Sequence, residues 1–350
     1  ESMLGGGQVA GLLRFQNNDL AEGRNLLGRM AIAISESMNT QNRLGLTLNG
    51  QPGENLFAPI SLGNATPSNF NTSTATMALT VTDPTALQAS SYTVSFTAGD
   101  AGSVTRHSDG KVFNFDGSAL PPVTVASVFS AQGLGVTLSG AVNAGDQFVI
   151  NSLQGAAAEL QALPYSPTDL AAANPVNAAM GATNGGSLQL ASLKATGPIT
   201  QPATGSPVTI AFTAGSPATY SATVPGPPVA TIATGNYVSG EKIAINGWEI
   251  ALQGAPKSGD TVTVGNATDS QYGDWYKRDT GNASALMALR DVPMFDNATL
   301  ADGFASAMAQ VGTRTQSAQF AAQVSEKIAA QLEGDRTAVS GVNLDEEAAR

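Results

Sequence analysis

The chain has 350 residues, more than one hydrophobic core usually organises, so its length favours two or three domains. Its formal net charge of −11 argues against nucleic acid or an anionic membrane surface as a partner, because both repel an acidic protein. The absence of cysteine excludes disulfides, thiolate metal sites and cysteine nucleophiles, and no apolar run approaches the roughly 18 residues that span a bilayer.

The charged fraction is only 12%, and small neutral residues take the place of charged ones. Typical soluble domains have about 25% charged residues. Charges concentrate in the two flanks of the chain, whereas prolines and turn residues concentrate in the middle. This composition predicts helical flanks around a charge-poor, strand-rich centre, and such surfaces are common where subunits pack closely.

The first flank is predicted to form one long helix over about residues 8–44, roughly 55 Å in length. The signal is a set of apolar residues spaced seven apart, at Leu13, Leu20, Leu27 and Ile34. Two glycines inside this helix, Gly23 and Gly28, mark either close packing or a bend.

The centre contains an internal repeat, in which residues 135–150 align with residues 249–264. Each copy alternates apolar and polar residues on both sides of a Gly-Asp turn, at Asp146 and Asp260, and this pattern predicts a hairpin in each copy. The dipeptides Asp109-Gly110 and Asn246-Gly247 predict further tight turns. The centre is therefore predicted to form two related β modules with sandwich-like or barrel-like folds.

The second flank is predicted to contain a short helix at about 281–290 and a long helix at about 299–336. The long helix has an apolar stripe formed by Phe304, Met308, Val311, Ala318, Ile328 and Leu332. Gly334 is predicted to end it, and Asn343 to start another helix. We expect the two long helices to form an antiparallel pair with a shared core.

These elements predict a multidomain α+β fold in which long antiparallel helices from both ends of the chain enclose an inserted pair of β modules. In the predicted domain plan, residues 1–60 and 275–350 form a discontinuous helical domain. Residues 61–160 form module one, residues 161–187 form a linker, and residues 188–274 form module two. Because the chain begins just before one helical pattern and ends inside another, we expect an internal fragment that lacks both terminal regions.

The sequence offers no catalytic, cofactor-binding or metal-ligating residues. Its only histidine, His107, lies two residues from Asp109, so the two residues could form a base and its orienting carboxylate. A solvated turn residue is the favoured reading. Asp146 and Asp260 are expected to bond their own backbone two residues further on, because turn chemistry explains both positions.

The aromatic residues are expected to serve packing. Trp248 lies in a strand pattern and is predicted to belong to the core of module two. Trp275 and Tyr276 lie where the β block returns to helix, so packing at the domain junction is preferred for both. An aromatic platform for a sugar is the alternative.

Several motifs in the flanks are distinctive. In the first flank they are GGGQVAGLLRFQNNDL (residues 5–20), the helix end Asn39-Thr40-Gln41 and LTLNG (residues 46–50). In the second flank they are DTGNASALMALRD (residues 279–291), VGTRTQSA (residues 311–318) and VSGVNLDEEAAR (residues 339–350). These motifs resemble the hook–filament junction protein family of the bacterial flagellum, also called hook-associated protein 1. One departure is Asn42, where the family usually has histidine.

The resemblance implies a structural subunit with no catalytic residues and no cofactor. It implies assembly with copies of itself in an axial ring, contacts with the hook protein and the next hook-associated protein, and an export chaperone. It also implies an extracellular location in the flagellum, reached by type III export without a cleavable signal peptide. We expect the fragment itself to be monomeric, because the sticky terminal helices would be missing.

Two alternatives stay open at this point. The chain could be another flagellar axial protein, either the hook protein or the second junction protein, because VSGVNLDEEA is similar across several of them. From a different class, it could be a β-module adhesin or glycan-binding protein that uses Trp248 or Trp275.

Overall fold

The computed structural model describes residues 7–340. The helix start predicted at Asn343 and the acidic residues after it lie outside the described residues. Within them, the first flank forms one continuous helical rod, as predicted. Its parts are α1 (Gln8–Arg14), a π-helical turn (Phe15–Asp19) and α2 (Leu20–Arg43).

The π turn changes which residues of the rod face the protein. It inserts an i→i+5 hydrogen bond from the Leu20 N–H to the Phe15 carbonyl, which rotates the residues before it relative to those after it. The predicted stripe does not form one buried face within α2 either, although Leu20, Leu27 and Ile34 all lie after the π turn. Leu27 is 46% exposed, whereas the neighbouring Leu26 is 6% exposed and packs in a core.

Module one combines two sheets. Its strands are β1 (Thr66–Pro67), β2 (Thr76–Val81), β3 (Tyr92–Phe96), β4 (Ala101–Arg106), β5 (Val112–Asp116), β6 (Leu134–Ser139) and β7 (Gln147–Ile150). The larger sheet has the order β1-β7-β3-β4-β5, and β2 pairs with β6 in a second sheet. The inward residues of both sheets form one core, which α3 (Val125–Ser130) and α4 (Leu153–Ala156) complete.

Module two repeats this plan. Its strands are β8 (Val176–Met180), β9 (Gln189–Ala195), β10 (Val208–Thr213), β11 (Ala218–Val224), β12 (Ala230–Tyr237), β13 (Lys242–Ile245), β14 (Trp248–Gln253) and β15 (Thr261–Asn266). The larger sheet has the order β8-β15-β10-β11-β12, and the smaller sheet has the order β13-β14-β9. The strand order of the larger sheet matches that of module one position by position, so the repeat seen in the sequence is a repeat of topology.

The hairpins predicted within the repeat are wrong. β6 and β7 flank Asp146 but pair with β2 and β3 respectively, in different sheets. In the second copy, β14 pairs with β13 and β9, whereas β15 pairs with β10 and β8. The Gly-Asp corner therefore carries the chain from one sheet to the other. The other two turn predictions are confirmed, because Asp109-Gly110 joins β4 to β5 and Asn246-Gly247 joins β13 to β14.

One predicted domain boundary needs correction. The range 161–187, predicted as a linker, contains β8, which pairs with β15 along the edge of the module two sheet. Val176 belongs to the core of that module. Module two therefore begins at Val176, and the connection between the modules is shorter than predicted.

The second flank returns to helix as predicted. It forms α5 (Gly281–Ala288) and the 41-residue α6 (Leu300–Ser340). The prediction that Gly334 ends the long helix is wrong, because α6 continues through it. A single glycine costs a helix only about 1 kcal/mol, which good helix-forming neighbours such as Leu332 and Glu333 offset.

The two helical arms meet, running in opposite directions. Leu26 and Met30 of α2 share a small core with Ala307 of α6 and with Met294 and Phe295. These contacts and the two β modules confirm the predicted α+β class. The shared core is limited, since the stripe residues of α6 keep much of their surface exposed.

Candidate functional site

His107 does not form a catalytic pair with Asp109. The Asp109 carboxylate instead accepts hydrogen bonds from the guanidinium of Arg106, at 3.0 and 2.6 Å. These bonds lower the pKa of Asp109 to about 2. The His107 ring lies 2.8 Å from the Thr93 hydroxyl, and partial burial lowers the pKa of the imidazole. His107 is therefore a turn residue that remains in contact with solvent, as the sequence predicted.

A polar cleft of about 790 Å³ passes His107 between α2 and module one. Amides and hydroxyls line most of it, and several hold the helix to the module. Ser91 Oγ accepts hydrogen bonds from Asn25 Nδ2 at 3.2 Å and from Gln154 Nε2 at 3.0 Å. We interpret the cleft as the interface between α2 and module one and not as a catalytic site. The reason is that Asp109, the carboxylate nearest to His107 in sequence, is bound to Arg106.

No group of three or more His, Cys, Asp or Glu side chains suited to a metal ion occurs within residues 7–340. The two repeat aspartates serve as structural crosslinks. Asp146 is 1% exposed and accepts hydrogen bonds from the N–H groups of Thr72 and Asn143, at 2.9 and 2.8 Å. A hydrogen bond from the Ser73 side chain, with these N–H bonds, lowers the pKa of Asp146 to about 2.

Asp260 makes the equivalent crosslink in module two. It is 2% exposed and accepts hydrogen bonds from the N–H groups of Lys257, Gly185 and Gly186. The Lys257 bond is the main cause of the lowered pKa of Asp260. The expectation that each aspartate bonds the backbone two residues further on was wrong: each one binds backwards three residues and to a distant loop.

The aromatic predictions have mixed outcomes. Trp248 is fully buried in the core of module two, as predicted, and its indole N–H donates to the Gln201 carbonyl at 2.6 Å. Tyr276 packs against a small cluster that contains Leu46 and Ala173, at the junction of the helical domain and the modules. Trp275 departs from the prediction, because 53% of its surface is exposed.

Buried amides hold the end of α2, a feature that the sequence did not predict. Asn39 Oδ1 accepts from the N–H groups of Leu56 and Phe57, at 2.8 and 2.9 Å. Asn42 Nδ2 donates to the Glu54 carbonyl at 2.7 Å. Asn282 of α5 donates to the Ala171 carbonyl at 2.6 Å and accepts from Gln41 at 2.7 Å. The motif residues at the helix end therefore join both flanks to the segment between the modules.

An apolar groove of about 410 Å³ lies between the two helical arms. Phe15 and Leu26 line one wall, and Val311, Ala318 and Ala322 line the other. One ion-pair cluster bridges the groove, in which the Arg314 guanidinium contacts Asp19 at 3.0 Å and also Glu22. The groove is open to solvent, and its lining is mainly apolar.

The outer half of α6 has an unusual apolar surface. Its large exposed residues are Phe320, Val324, Ile328, Leu332 and Val339, which range from 39% to 90% exposed. Water-facing helices normally have polar residues at such positions. No helix among the described residues has the length and hydrophobicity that a membrane crossing requires. This surface is therefore the chain's main candidate site, and it is suited to packing against other helices.

The comparisons with known proteins agree with this geometry. The profile described as "Flagellar hook-associated protein FlgK helical domain" matches residues 1–57. The profile described as "Flagellar hook-associated protein 1, D2-like domain" matches residues 66–152, which cover most of module one.

Relatives and a solved structure extend the match. Flagellar hook-associated protein 1 from Escherichia coli is 30% identical over 181 residues, 51% of this chain and 31% of that protein. The Salmonella typhimurium protein is 29% identical over 50% of this chain and 30% of its own length. The flagellar hook junction protein FlgK from Burkholderia pseudomallei superposes with a TM-score of 0.73 and 25% identity, covering 95% of this chain and 63% of that one.

The helical arms with exposed apolar faces and the two tandem β modules are the architecture that this chain shares with the flagellar hook junction protein FlgK from Burkholderia pseudomallei. The chain is therefore similar to the flagellar hook-associated protein 1 family over its first helical arm and module one, and to a solved structure of that family over nearly its whole length. It spans under a third of the length of the curated relatives that it matches.

Proposed function

We propose that this chain is part of a structural subunit of the bacterial flagellum that forms the junction between hook and filament. The observation that carries the proposal is the uncovered apolar surface of α6, together with the groove between the helical arms. Surfaces of this kind mark protein–protein contacts, since monomeric proteins rarely expose such patches. Helices of neighbouring copies are the partners that fit a long apolar helix face.

A head-to-tail contact between identical subunits supports this role physically. Such contacts generate rings or open helical tubes, because each copy uses two different patches of its surface. We propose that copies of the chain assemble in an axial ring in this way, with the hook protein on one side and the next hook-associated protein on the other. An export chaperone would cover the apolar surface before assembly, and the finished ring would lie outside the cell after type III export.

We infer a structural and not an enzymatic role. The support is the similarity to a family of structural flagellar proteins, the engagement of Asp109 by Arg106, and the use of Asp146 and Asp260 as crosslinks. The glycan-binding alternative has lost one of its two candidate residues, because Trp248 is buried in the core.

The test uses the full-length gene in a bacterium that lacks its own copy. Replacement of Phe320 and Ile328 by Asp in α6 is expected to abolish filament attachment and swimming, because it places two charges on the apolar surface. The matched control replaces Ser317 and Ser325 by Asp, which adds the same charge to exposed polar positions of the same helix. Filaments are scored by electron microscopy. Normal filaments with the Phe320/Ile328 variant, secreted at the wild-type level, would refute the proposal.

We also propose that the chain on its own is monomeric in dilute solution, because its β modules bury their cores internally and leave only the α6 surface and the groove between the arms for contacts between copies. Light scattering after size-exclusion chromatography is expected to give one mass at all dilutions, that of a single 35.4 kDa chain. A stable oligomer that persists on dilution would contradict this expectation.

A further inference from the structure

Arg29 is the one basic side chain within residues 7–340 that is buried, at 6% exposure. It lies on α2, and its guanidinium makes three different contacts. Its Nη1 donates to the Asp296 carboxylate at 2.7 Å and to the Leu87 carbonyl of module one at 3.3 Å. Its Cζ lies 4.6 Å from the centre of the Phe295 ring. Arg29 therefore joins α2 both to module one and to the segment that leads into α6.

The segment that Arg29 contacts is a tight turn at the base of α6. Phe295 and Ala298 form a β-bridge, and the Ala298 N–H donates to the Phe295 carbonyl at 2.9 Å. Asp296 and Asn297 between them have φ values of 51° and 55°. Residues other than glycine rarely adopt this backbone, and it persists where surrounding contacts hold it. Because α6 begins at Leu300, the contacts of Arg29 act directly on its base.

Phe295 links Arg29 to the backbone of α6. The Phe295 side chain is 2% exposed, and a Cβ at Gly303 would lie 2.1 Å from its ring, so ring and helix are in close contact. The other buried members of the core between the arms are Leu26, Met30, Ala33, Met294 and Ala307. Such apolar contacts have no preferred direction, and methionine adapts to different packings. The planar guanidinium, in contrast, has its donors in fixed directions.

The buried arginine is a poor source of stability. Its Nε has no hydrogen-bond partner among the described residues, and the side chain of Asp296 is 53% exposed. Burial of a cation carries a desolvation cost, and apolar residues of similar volume are often at least as stable at such positions. Selection of one arrangement among several possible packings therefore accounts for Arg29 better than stability does.

We propose that Arg29 is a positioning residue that sets the direction in which α6 leaves the rest of the chain. With 41 residues, α6 is about 60 Å long. A rotation of about 10° at its base would move its far end by about 10 Å, the diameter of a helix. The apolar surface of α6 can meet the same part of every neighbouring copy only if this direction is fixed. That consequence for assembly rests on the proposed function, whereas the direction of α6 does not.

The direction of α6 can be measured in the isolated chain. Because the chain has no cysteine, two introduced cysteines carry the only spin labels. We place them at the exposed positions Thr137 in β6 and Ser317 in α6 and measure their separation by pulsed electron paramagnetic resonance. This pair is expected to give one narrow distribution. Arg29→Met should at least double its width or shift its mean by about 4 Å, the displacement that a rotation of about 10° produces at Ser317.

Stability should not follow this loss of direction. The Tm of Arg29→Met is expected to stay within about 3 °C of the wild type, because water can solvate Asp296 once its partner is gone. Asp296→Asn should lower the Tm further, since it leaves Arg29 buried without a counter-charge, and Arg29→Met in the same chain should reverse that loss. Arg24→Met removes an exposed arginine of the same helix and, as the matched control, should change neither the distances nor the Tm.

A narrow, unshifted distribution for Arg29→Met would overturn the proposal, and so would equal broadening by Arg24→Met. Should Arg29→Met fail to fold, Arg29→Lys keeps the charge opposite Asp296 but lacks the planar fork, and a narrow distribution for it would overturn the proposal equally. In the full-length protein, Arg29→Met is expected to reduce filament attachment at wild-type secretion. Normal attachment despite a broadened distribution would overturn the link to assembly, whereas failure of the Phe320/Ile328 test concerns the proposed function alone.

Discussion

At the scale of single residues, both β modules are stabilised in the same way. Each module has a buried aspartate at the corner where the chain passes from one of its sheets to the other. A carboxylate is suited to this position because its two oxygens can accept several backbone N–H groups at once. Asp146 binds the 143 corner and the distant Thr72 loop, and Asp260 does the same with Lys257 and the Gly185–Gly186 loop. The repeated Gly-Asp signal in the sequence therefore marks a tertiary crosslink.

Asp146→Asn should destabilise module one. The amide is nearly isosteric, but its NH₂ group would face a backbone N–H donor, which leaves that donor buried and unpaired. Calorimetry is expected to show a lower Tm for this variant, whereas Asp100→Asn, at an exposed position of the same module, should match the wild type. An equal Tm for both variants would show that the crosslink contributes nothing to stability.

The same aspartate predicts a dependence of stability on pH. The folded-state pKa of Asp146 is about 2, below its ordinary value of 3.8, so ionised Asp146 stabilises the fold above about pH 4. This contribution is lost as the pH falls toward 2, because protonation then occurs in the folded state as well. The Tm of the wild type should fall over this interval more steeply than that of Asp146→Asn. Parallel curves would contradict the assignment.

At the scale of elements, the two glycines of α2 have different roles. Gly28 lies against α4, where a Cβ would overlap the carbonyl oxygen of Leu153 and approach Ala156. Nothing lies within 4 Å of a Cβ added at Gly23. The sequence predicted that glycines in this helix mark close packing or a bend, and Gly28 marks close packing.

A matched pair of alanine substitutions tests this difference. Gly28→Ala should lower the free energy of unfolding by about 1–3 kcal/mol, because α4 must shift away from the helix. Gly23→Ala should instead raise it by about 0.5–1 kcal/mol, through better helix propensity alone. Urea unfolding followed by circular dichroism measures both. A stabilised Gly28→Ala would show that the two elements are not in close contact.

The sequence predicted elements better than it predicted their partners. Apolar periodicity placed the long helices within a few residues of their observed starts, because local burial sets that period. The alternation of apolar and polar residues also located β6, β7, β14 and β15. It does not specify which strands pair with each other, so the two corners that lead from one sheet to the other were predicted as hairpins. β8 was missed because its sequence, VNAAM, contains little β-branched or aromatic signal.

The candidate sites were predictable to different degrees. The apolar stripe of α6 was visible in the sequence, but its exposure depends on how little of α2 it contacts. The amide contacts of Asn39 and Asn42 were hidden, since an isolated asparagine reads as an ordinary polar residue.

At the scale of the whole molecule, stability should be distributed unevenly. The β modules have closed cores of their own, whereas α6 contacts the rest of the chain mainly near Ala307 and Arg314. Residues 320–339 form helix without a buried apolar face. Helices owe most of their stability to such burial, so the outer half of α6 is a low-stability region of the described chain.

Hydrogen exchange should therefore follow a gradient along α6. Backbone amides near residue 307 are expected to exchange slowly, and protection should decrease toward residue 339, because opening there disrupts no tertiary contact. Arg314→Glu should extend fast exchange toward residue 307, since it replaces the ion pairs with Asp19 and Glu22 by like charges. Arg290→Glu, at an exposed arginine outside the helix, serves as the control and should leave the gradient unchanged. If the proposed packing of helices is correct, the backbone amides in the outer half of α6 should exchange more slowly in the assembled full-length protein than in the isolated chain. Equal exchange rates along α6 in both the isolated and the assembled protein would contradict the proposal.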